Sequence, residues 1–254
     1  MDLTTGDETM KSIILAAGVG TRLRPLTDTR PKCLTKVNGK SILENMLNNL
    51  NNLHVKESTL VIGHLGDMIR KEIGTKHGEM NIRYVRNKEY ETTNNTYSLL
   101  MGLNGLYFDE MLLVIEGDVF FSSQLLAHFS AQASENSTIV EPYNPSLDGS
   151  FVEVNNGIVL DWTHKLFRPE NYVVGDKYKT VNIHKFSKDF VSEILYPTLR
   201  EHVERDGGTK PIEYVFRDII KSKKARIGIF SSHHYKWMEI DDLSDLRTAE
   251  EMFK

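Results

Sequence analysis

The sequence predicts an α/β protein built on a doubly wound, Rossmann-like sheet, mixed but mostly parallel, and three observations carry that expectation. Short apolar runs alternate with amphipathic segments through the first half of the chain. The opening run, Ile13 to Ala17, passes straight into a glycine-rich turn. Two aspartates, Asp118 and Asp241, stand at the carboxyl ends of later apolar runs, where open α/β sheets bind their ligands.

The elements follow in order. Residues 13–17 have the length of a buried parallel strand. Ile42, Leu43, Met46, Leu47 and Leu50 form a helical stripe over 41–53, and 59–62 is a short buried strand, which completes one βαβ unit. A helix over 66–73, a strand over 81–85, a helix over 97–106 and a strand over 111–115 continue the winding, the last ending at Glu116-Gly117-Asp118. The second half changes character. Segments 138–141, 150–154, 157–161 and 179–186 read as strands between turn-rich stretches, and Asn155-Asn156-Gly157 suits a hairpin, so an antiparallel portion is expected. Helices over 189–204 and 212–221, strands over 226–230 and 236–240 and a helix over 243–253 close the chain. No linker, repeat or low-complexity tract divides it, so residues 10–254 read as one domain with a small insertion on the acceptor side. Residues 1–9 lack the basic start and apolar stretch of a signal peptide and read as a frayed polar extension.

Composition bounds the function. The 254 residues are 40% hydrophobic and 26% charged, ordinary for a globular protein. No apolar run approaches the roughly 20 residues of a membrane span, so a cytoplasmic protein without a membrane partner is expected. The 31 basic and 35 acidic residues give a net charge of −4, which argues against nucleic acid and requires any anionic ligand to be held by a local cluster. The single cysteine, Cys33, excludes an internal disulfide and a thiolate zinc cage, and reads as a packing residue rather than an activated thiol. The nine histidines show no helical metal spacing.

The local anion site is the turn after the first strand. In Leu15-Ala16-Ala17-Gly18-Val19-Gly20-Thr21-Arg22, missing Cβ atoms let backbone N–H groups approach a phosphate. Arg22 can fork onto phosphate oxygens and Lys32, behind the rigid Pro31, adds a point charge. A dinucleotide fingerprint would need a third glycine where Leu23 stands, and a P-loop would need Gly-Lys-Ser/Thr, which is absent. Asp118 is the first metal candidate and Asp241 the second, with Glu239 as a further one; Mg²⁺ takes one or two carboxylates together with substrate phosphate oxygens. Asn94, Asn95 and Ser98, at the start of a helix, offer amide and hydroxyl groups.

The run from Leu15 to Thr27, with Pro31-Lys32 behind it, resembles the signature of the nucleotidyltransferases that make sugar nucleotides and CDP-alcohols. The stretch Tyr90 to Leu99, with Asn94-Asn95 and Tyr97-Ser98, and the later Tyr178 to Ser187 resemble cytidylyltransferases acting on phosphocholine and 2-aminoethylphosphonate. The resemblance implies the nucleotide-diphospho-sugar transferase fold, CTP bound by Leu15, Ala16, Ala17, Gly18, Gly20, Thr21, Arg22, Asn94, Asn95, Ser98, Glu116 and Gly117, and Mg²⁺ on Asp118 and Asp241. It implies an acceptor held by Lys179, Asp148 and Glu141, with Arg22, Lys32 and Lys179 as catalytic cations and a homodimer as the assembly. The expected reaction transfers CMP to a small phosphonate or phosphate, 2-aminoethylphosphonate first. His64, where relatives often show tyrosine, and the segment 167–175 depart from the pattern, so phosphocholine, phosphorylated amino acids and sugar 1-phosphates stay open as acceptors.

Overall fold

The structure is a computed structural model that describes residues 9–254. Most of the expected polar extension, residues 1–8, lies outside the described residues. The first half runs β1 (Met10–Ala16), α1 (Leu26–Thr29), β2 (Lys36–Val37), β3 (Lys40–Ser41), α2 (Ile42–Asn52), β4 (Glu57–Ile62), α3 (Gly66–Ile73), β5 (Lys76–His77), β6 (Met80–Arg86), α4 (Asn95–Leu103) and β7 (Met111–Glu116). The second half follows with β8 (Val119–Phe121), α5 (Ser123–Gln132), β9 (Ser137–Pro142), β10 (Phe151–Asn155), β11 (Ile158–Thr163), β12 (Tyr178–Phe186), α6 (Lys188–Phe190), α7 (Tyr196–Asp206), α8 (Glu213–Lys221), β13 (Gly228–Ser231), β14 (Trp237–Glu239) and α9 (Leu243–Met252).

One sheet organises these elements, in the order β10-β11-β13-β9-β12-β7-β1-β4-β6-β5. β7, β1, β4 and β6 run parallel, as the βαβ reading requires. β12 enters antiparallel between β7 and β9 and starts the mixed half. Alternate residues of β1 serve opposite faces: Ile14 and Ala16 join a core with α2 and α5, while Ile13 and Leu15 join one with α4, α7 and α8. That double coverage explains why the parallel strands read as unbroken apolar runs. The expected hairpin at 155–157 is present, with Asn156 and Gly157 both at positive φ (49° and 74°), the geometry of a type I′ turn.

The structure adds the short strands β2, β3, β5 and β8 to the expected elements and departs from the sequence expectations in three further places. The helix α5 was not expected, although Leu125, Leu126 and Phe129 all bury against the core. The segment read as one helix over 189–204 contains a π-helical turn at Val191–Leu195, with α7 continuing from it. β14 lies outside the main sheet and pairs antiparallel with β8 alone. Among the described residues no helix is long and apolar enough to cross a membrane.

Candidate active site

The carboxyl ends of β1 and β7 open into a cleft of about 380 Å³. The loop after β1 forms its floor. Gly20 adopts φ 68°, a left-handed conformation that glycine enters without cost, and the Thr27 hydroxyl pins the loop by donating to the Gly20 carbonyl at 2.8 Å. Buried Leu23 anchors the following turn, while its neighbour Arg22 stays half-exposed at the cleft. Gly117 allows β7 to close against this floor. Its N–H donates to the Leu15 carbonyl at 2.9 Å, and a Cβ at 117 would stand only 2.6 Å from that same oxygen.

Three charged side chains from distant segments meet above the floor. The Lys32 ammonium lies 2.7 Å from Asp118 and 2.8 Å from Asp241, which are 86 and 209 residues away in sequence. Arg22 reaches the other oxygen of Asp241 at 2.8 Å. The small β8–β14 ladder makes this possible. Glu239 pairs with Val119, and Ile240 N–H donates to the Asp118 carbonyl at 2.9 Å, so Asp241 arrives beside Asp118. The next residue, Asp242, is the N-cap of α9. It accepts from Ser244 and Asp245 N–H in a capping box and leaves Asp241 free for the cleft.

The electrostatics of this cluster are mutual. Burial opposes the Lys32 charge, but the Asp118 and Asp241 carboxylates outweigh it and hold the ammonium above its usual range. Burial would likewise raise Asp241, yet Lys32 and Arg22 keep it below the ordinary carboxylate value. Glu239 behaves oppositely: burial raises it, and the neighbouring Lys179 only partly offsets that. Glu116 is raised well above the ordinary carboxylate value, by burial first and then by the charges of Asp118, Glu213 and Glu239. Asp118, Glu239 and Asp241 present oxygens within 4.8 Å of one another. The second oxygen of Asp118 is buried without a hydrogen-bond partner. A hard divalent cation fits this donor set, since carboxylate oxygens are its preferred ligands. Cys33 behind Lys32 is buried and its thiol is pushed up to about 12, which suits packing and not nucleophilic chemistry.

Every residue expected at the nucleotide, Leu15 to Gly18, Gly20 to Arg22, Asn94, Asn95, Ser98, Glu116 and Gly117, lines this cleft. Asn94 caps α4 by accepting from Asn95 N–H. Asn95 spans the cleft wall, donating to Glu116 at 2.8 Å and accepting from Ile212 N–H at 2.8 Å. Ser98 accepts from Asn87 at 3.1 Å. Asn95 is therefore a strut as much as a contact group.

The acceptor-side expectations need correction in placement. Lys179 does not line the cleft. It is 2% exposed, covered by Gly149, with its ammonium on Glu239 at 2.8 Å and on the Thr180 carbonyl at 2.6 Å. Asp148 also lies off the cleft wall, held by Arg168 at 3.2 Å with Lys165 at 3.6 Å. Glu141 points elsewhere: it takes the Ser232 hydroxyl, the Trp237 indole N–H at 3.3 Å and His233 at 3.4 Å. The residues that do form this end of the cleft are Ser150, His164, Lys165, Asn182 and Glu213. Asn182 sits at a register shift in β12 with φ 63° and donates to Glu239 at 3.3 Å. An asparagine inside an apolar strand and a His-Lys pair just past another were the available signals.

Fold and cleft are those of an α/β enzyme with its ligand site at the strand ends. The chain belongs to the nucleotidyl transferase family, whose model matches residues 11–252, and it spans less than half the length of the first curated relatives it matches. Among curated relatives it is similar to the CMP-5'-(3-aminopropyl)phosphonate synthase of Streptomyces rubellomurinus, 30% identical over 247 residues; the match covers 96% of this chain but 39% of that protein. It is also similar to the CTP:phosphoglutamine cytidylyltransferase of Campylobacter jejuni, 24% identical, covering 93% of this chain and 98% of the relative. Among solved structures, the CTP:phosphocholine cytidylyltransferase of Streptococcus pneumoniae shares the fold at TM-score 0.72 and 22% identity over 97% of this chain and 100% of that one. The inositol-1-phosphate CTP transferase of T. maritima does so at TM-score 0.74 and 21% identity, over 97% and 96%.

Proposed function

We propose that the protein transfers CMP from CTP to a small phosphonate or phosphate ester, with 2-aminoethylphosphonate as the best acceptor, and releases pyrophosphate. One observation carries the reading: Lys32, Asp118 and Asp241 converge at the end of a Gly-x-Gly loop, a cationic grip facing a carboxylate pair. The names of the relatives support the choice of CTP and of a phosphonate or phosphate acceptor.

In this reading the triphosphate lies on the loop from Leu15 to Arg22, with the base toward Asn94, Asn95 and Ser98. An oxygen of the acceptor's phosphonate or phosphate attacks the α-phosphorus. The bond from that phosphorus to the bridging oxygen breaks and pyrophosphate leaves. The acceptor dianion is already a nucleophile, so no covalent enzyme intermediate is needed, and the protein supplies position and charge. Arg22 and Lys32 neutralise the triphosphate. Lys165, whose ammonium has only Asp148 at 3.6 Å among the described residues, takes the acceptor-aligning role first expected of Lys179. Lys179 instead holds Glu239, which clusters with the two aspartates. Asp118 and Asp241 would hold Mg²⁺, with Glu239 behind them; the ion would supply charge stabilisation at the phosphates.

The test is pyrophosphate release with each of the four nucleotides, over a panel of phosphonates, phosphate esters and sugar 1-phosphates, with and without Mg²⁺. CTP with 2-aminoethylphosphonate is expected to lead. A preference for UTP or dTTP with a sugar 1-phosphate would overturn the reading.

A further inference from the structure

Most carboxylates of the cleft have a cation beside them. Asp118 and Asp241 share Lys32, Asp241 also has Arg22, and Glu239 has Lys179. Glu213 has none among the described residues. It is the first residue of α8 and 7% exposed, and it lines the acceptor end of the cleft with Ser150 and His164. One of its oxygens accepts the Ser150 hydroxyl. The other is buried and has no hydrogen-bond partner. An acidic residue in the first turn of a helix is common, because the helix dipole favours it there. That preference does not account for turning the carboxylate away from water and leaving half of it bare, which costs free energy unless a ligand completes it.

We infer that Glu213 is the specificity residue that takes the cationic amine of the acceptor on its bare oxygen, with Ser150 fixing its orientation. The inference rests on the reading of the cleft as a phosphonate or phosphate transferase and deepens it by assigning the amine to a residue. A sugar hydroxyl would satisfy the oxygen but leave the buried charge uncompensated, whereas an ammonium does both. Asp148, the earlier candidate for this role, is already occupied by Arg168 and Lys165. His164 cannot supply the missing cation. Burial holds its ring below its ordinary value, and its Nδ1 accepts from Leu166 N–H. Lys165 and Glu213, both lining this end of the cleft, thus offer a cation and an anion to a molecule with an anionic head and a cationic tail.

The experiment compares 2-aminoethylphosphonate with n-propylphosphonate, which has the same backbone length without the charge. Both are measured on wild-type protein and on Glu213→Gln, by kcat/KM in the pyrophosphate assay and by calorimetric binding. A charge-assisted hydrogen bond predicts a wild-type preference for the amine of roughly ten- to a hundredfold, collapsing to within about threefold in Glu213→Gln. No preference in wild type overturns the inference, as does a preference that Glu213→Gln leaves intact. If Glu213→Gln does not fold, the wild-type comparison still decides, and Ser150→Ala must reduce the preference. Failure of the CTP reading looks different: no nucleotide is consumed, yet the calorimetric preference for the amine persists.

Discussion

Replacing Lys179 with methionine is expected to destabilise the protein by about 3 kcal/mol, because it removes half of a buried ion pair and little volume. The geometry sets the size. Lys179 is 2% exposed and lies 2.8 Å from Glu239, and among the described residues the only other side-chain donor to that carboxylate is Asn182 at 3.3 Å. Breaking a fully buried pair costs about 3–5 kcal/mol. Glu239 retains 21% exposure, so water relieves part of the penalty and the low end of that range applies. With a urea dependence near 3 kcal/mol per molar, expected for a chain of this size, the midpoint falls by on the order of 1 M. The assay is equilibrium urea unfolding followed by circular dichroism, on wild type, Lys179→Met, and Lys179→Met with Glu239→Gln. Neutralising both partners removes the stranded charge, so the double variant is expected within about 1 kcal/mol of wild type. A single-variant loss under about 1 kcal/mol, or a double variant as unstable as the single one, would refute the placement of Lys179 as a buried support.

The remaining expectations concern catalysis and pH. Asp118→Asn should lower turnover by several orders of magnitude with the melting temperature little changed, as a metal ligand's loss removes several kcal/mol of transition-state stabilisation; near-normal activity would sink the assignment. Lys32→Ala should depress kcat more than CTP affinity, since a charge directed at the phosphates matters most as charge shifts in the transition state; steady-state kinetics with a separate CTP titration would show it, and a pure KM effect would make Lys32 a binding residue only. His184 is fully buried on Thr138, and burial alone pushes it down to about 3 from 6.5. The unfolded chain therefore binds a proton that the folded one refuses, and this group's contribution is lost as pH falls below about 6.5. Between pH 7.5 and 5 that amounts to about 2 kcal/mol, which should be missing from the pH dependence of His184→Gln unfolding.

The half of the cleft expected to take the nucleotide was legible because its residues are contiguous. Floor, fork and point charge all fall between Leu15 and Lys32, and strand-end aspartates announce themselves by position. The acceptor half was not, because tertiary events decide it. The register shift around Asn182 determines which side of β12 faces the cleft, and the partner of Lys179 lies 60 residues away, on a strand outside the main sheet. Asp148 and Glu141 are acidic and near the right turns, but nothing local reveals that Arg168 and Ser232 already claim them. The helix α5 carried a readable apolar spacing at Leu125, Leu126 and Phe129, hidden beside the aromatic run of β8.

The β8–β14 ladder has a consequence for the order in which a newly made chain acquires its parts. The main sheet is complete once β13 has emerged, yet Asp241 is carried in only by the short strand that follows. A growing chain can thus complete its main sheet while Trp237, Ile240 and Ala249 are still missing from one core and the acidic cluster still lacks one wall. Lys32 and Asp118 are then paired, but the second carboxylate is not yet in place. Synthesis from the N-terminus onward makes the sheet early and the acidic cluster late, so an interrupted chain would have every main-sheet strand but only one of the two aspartates in place.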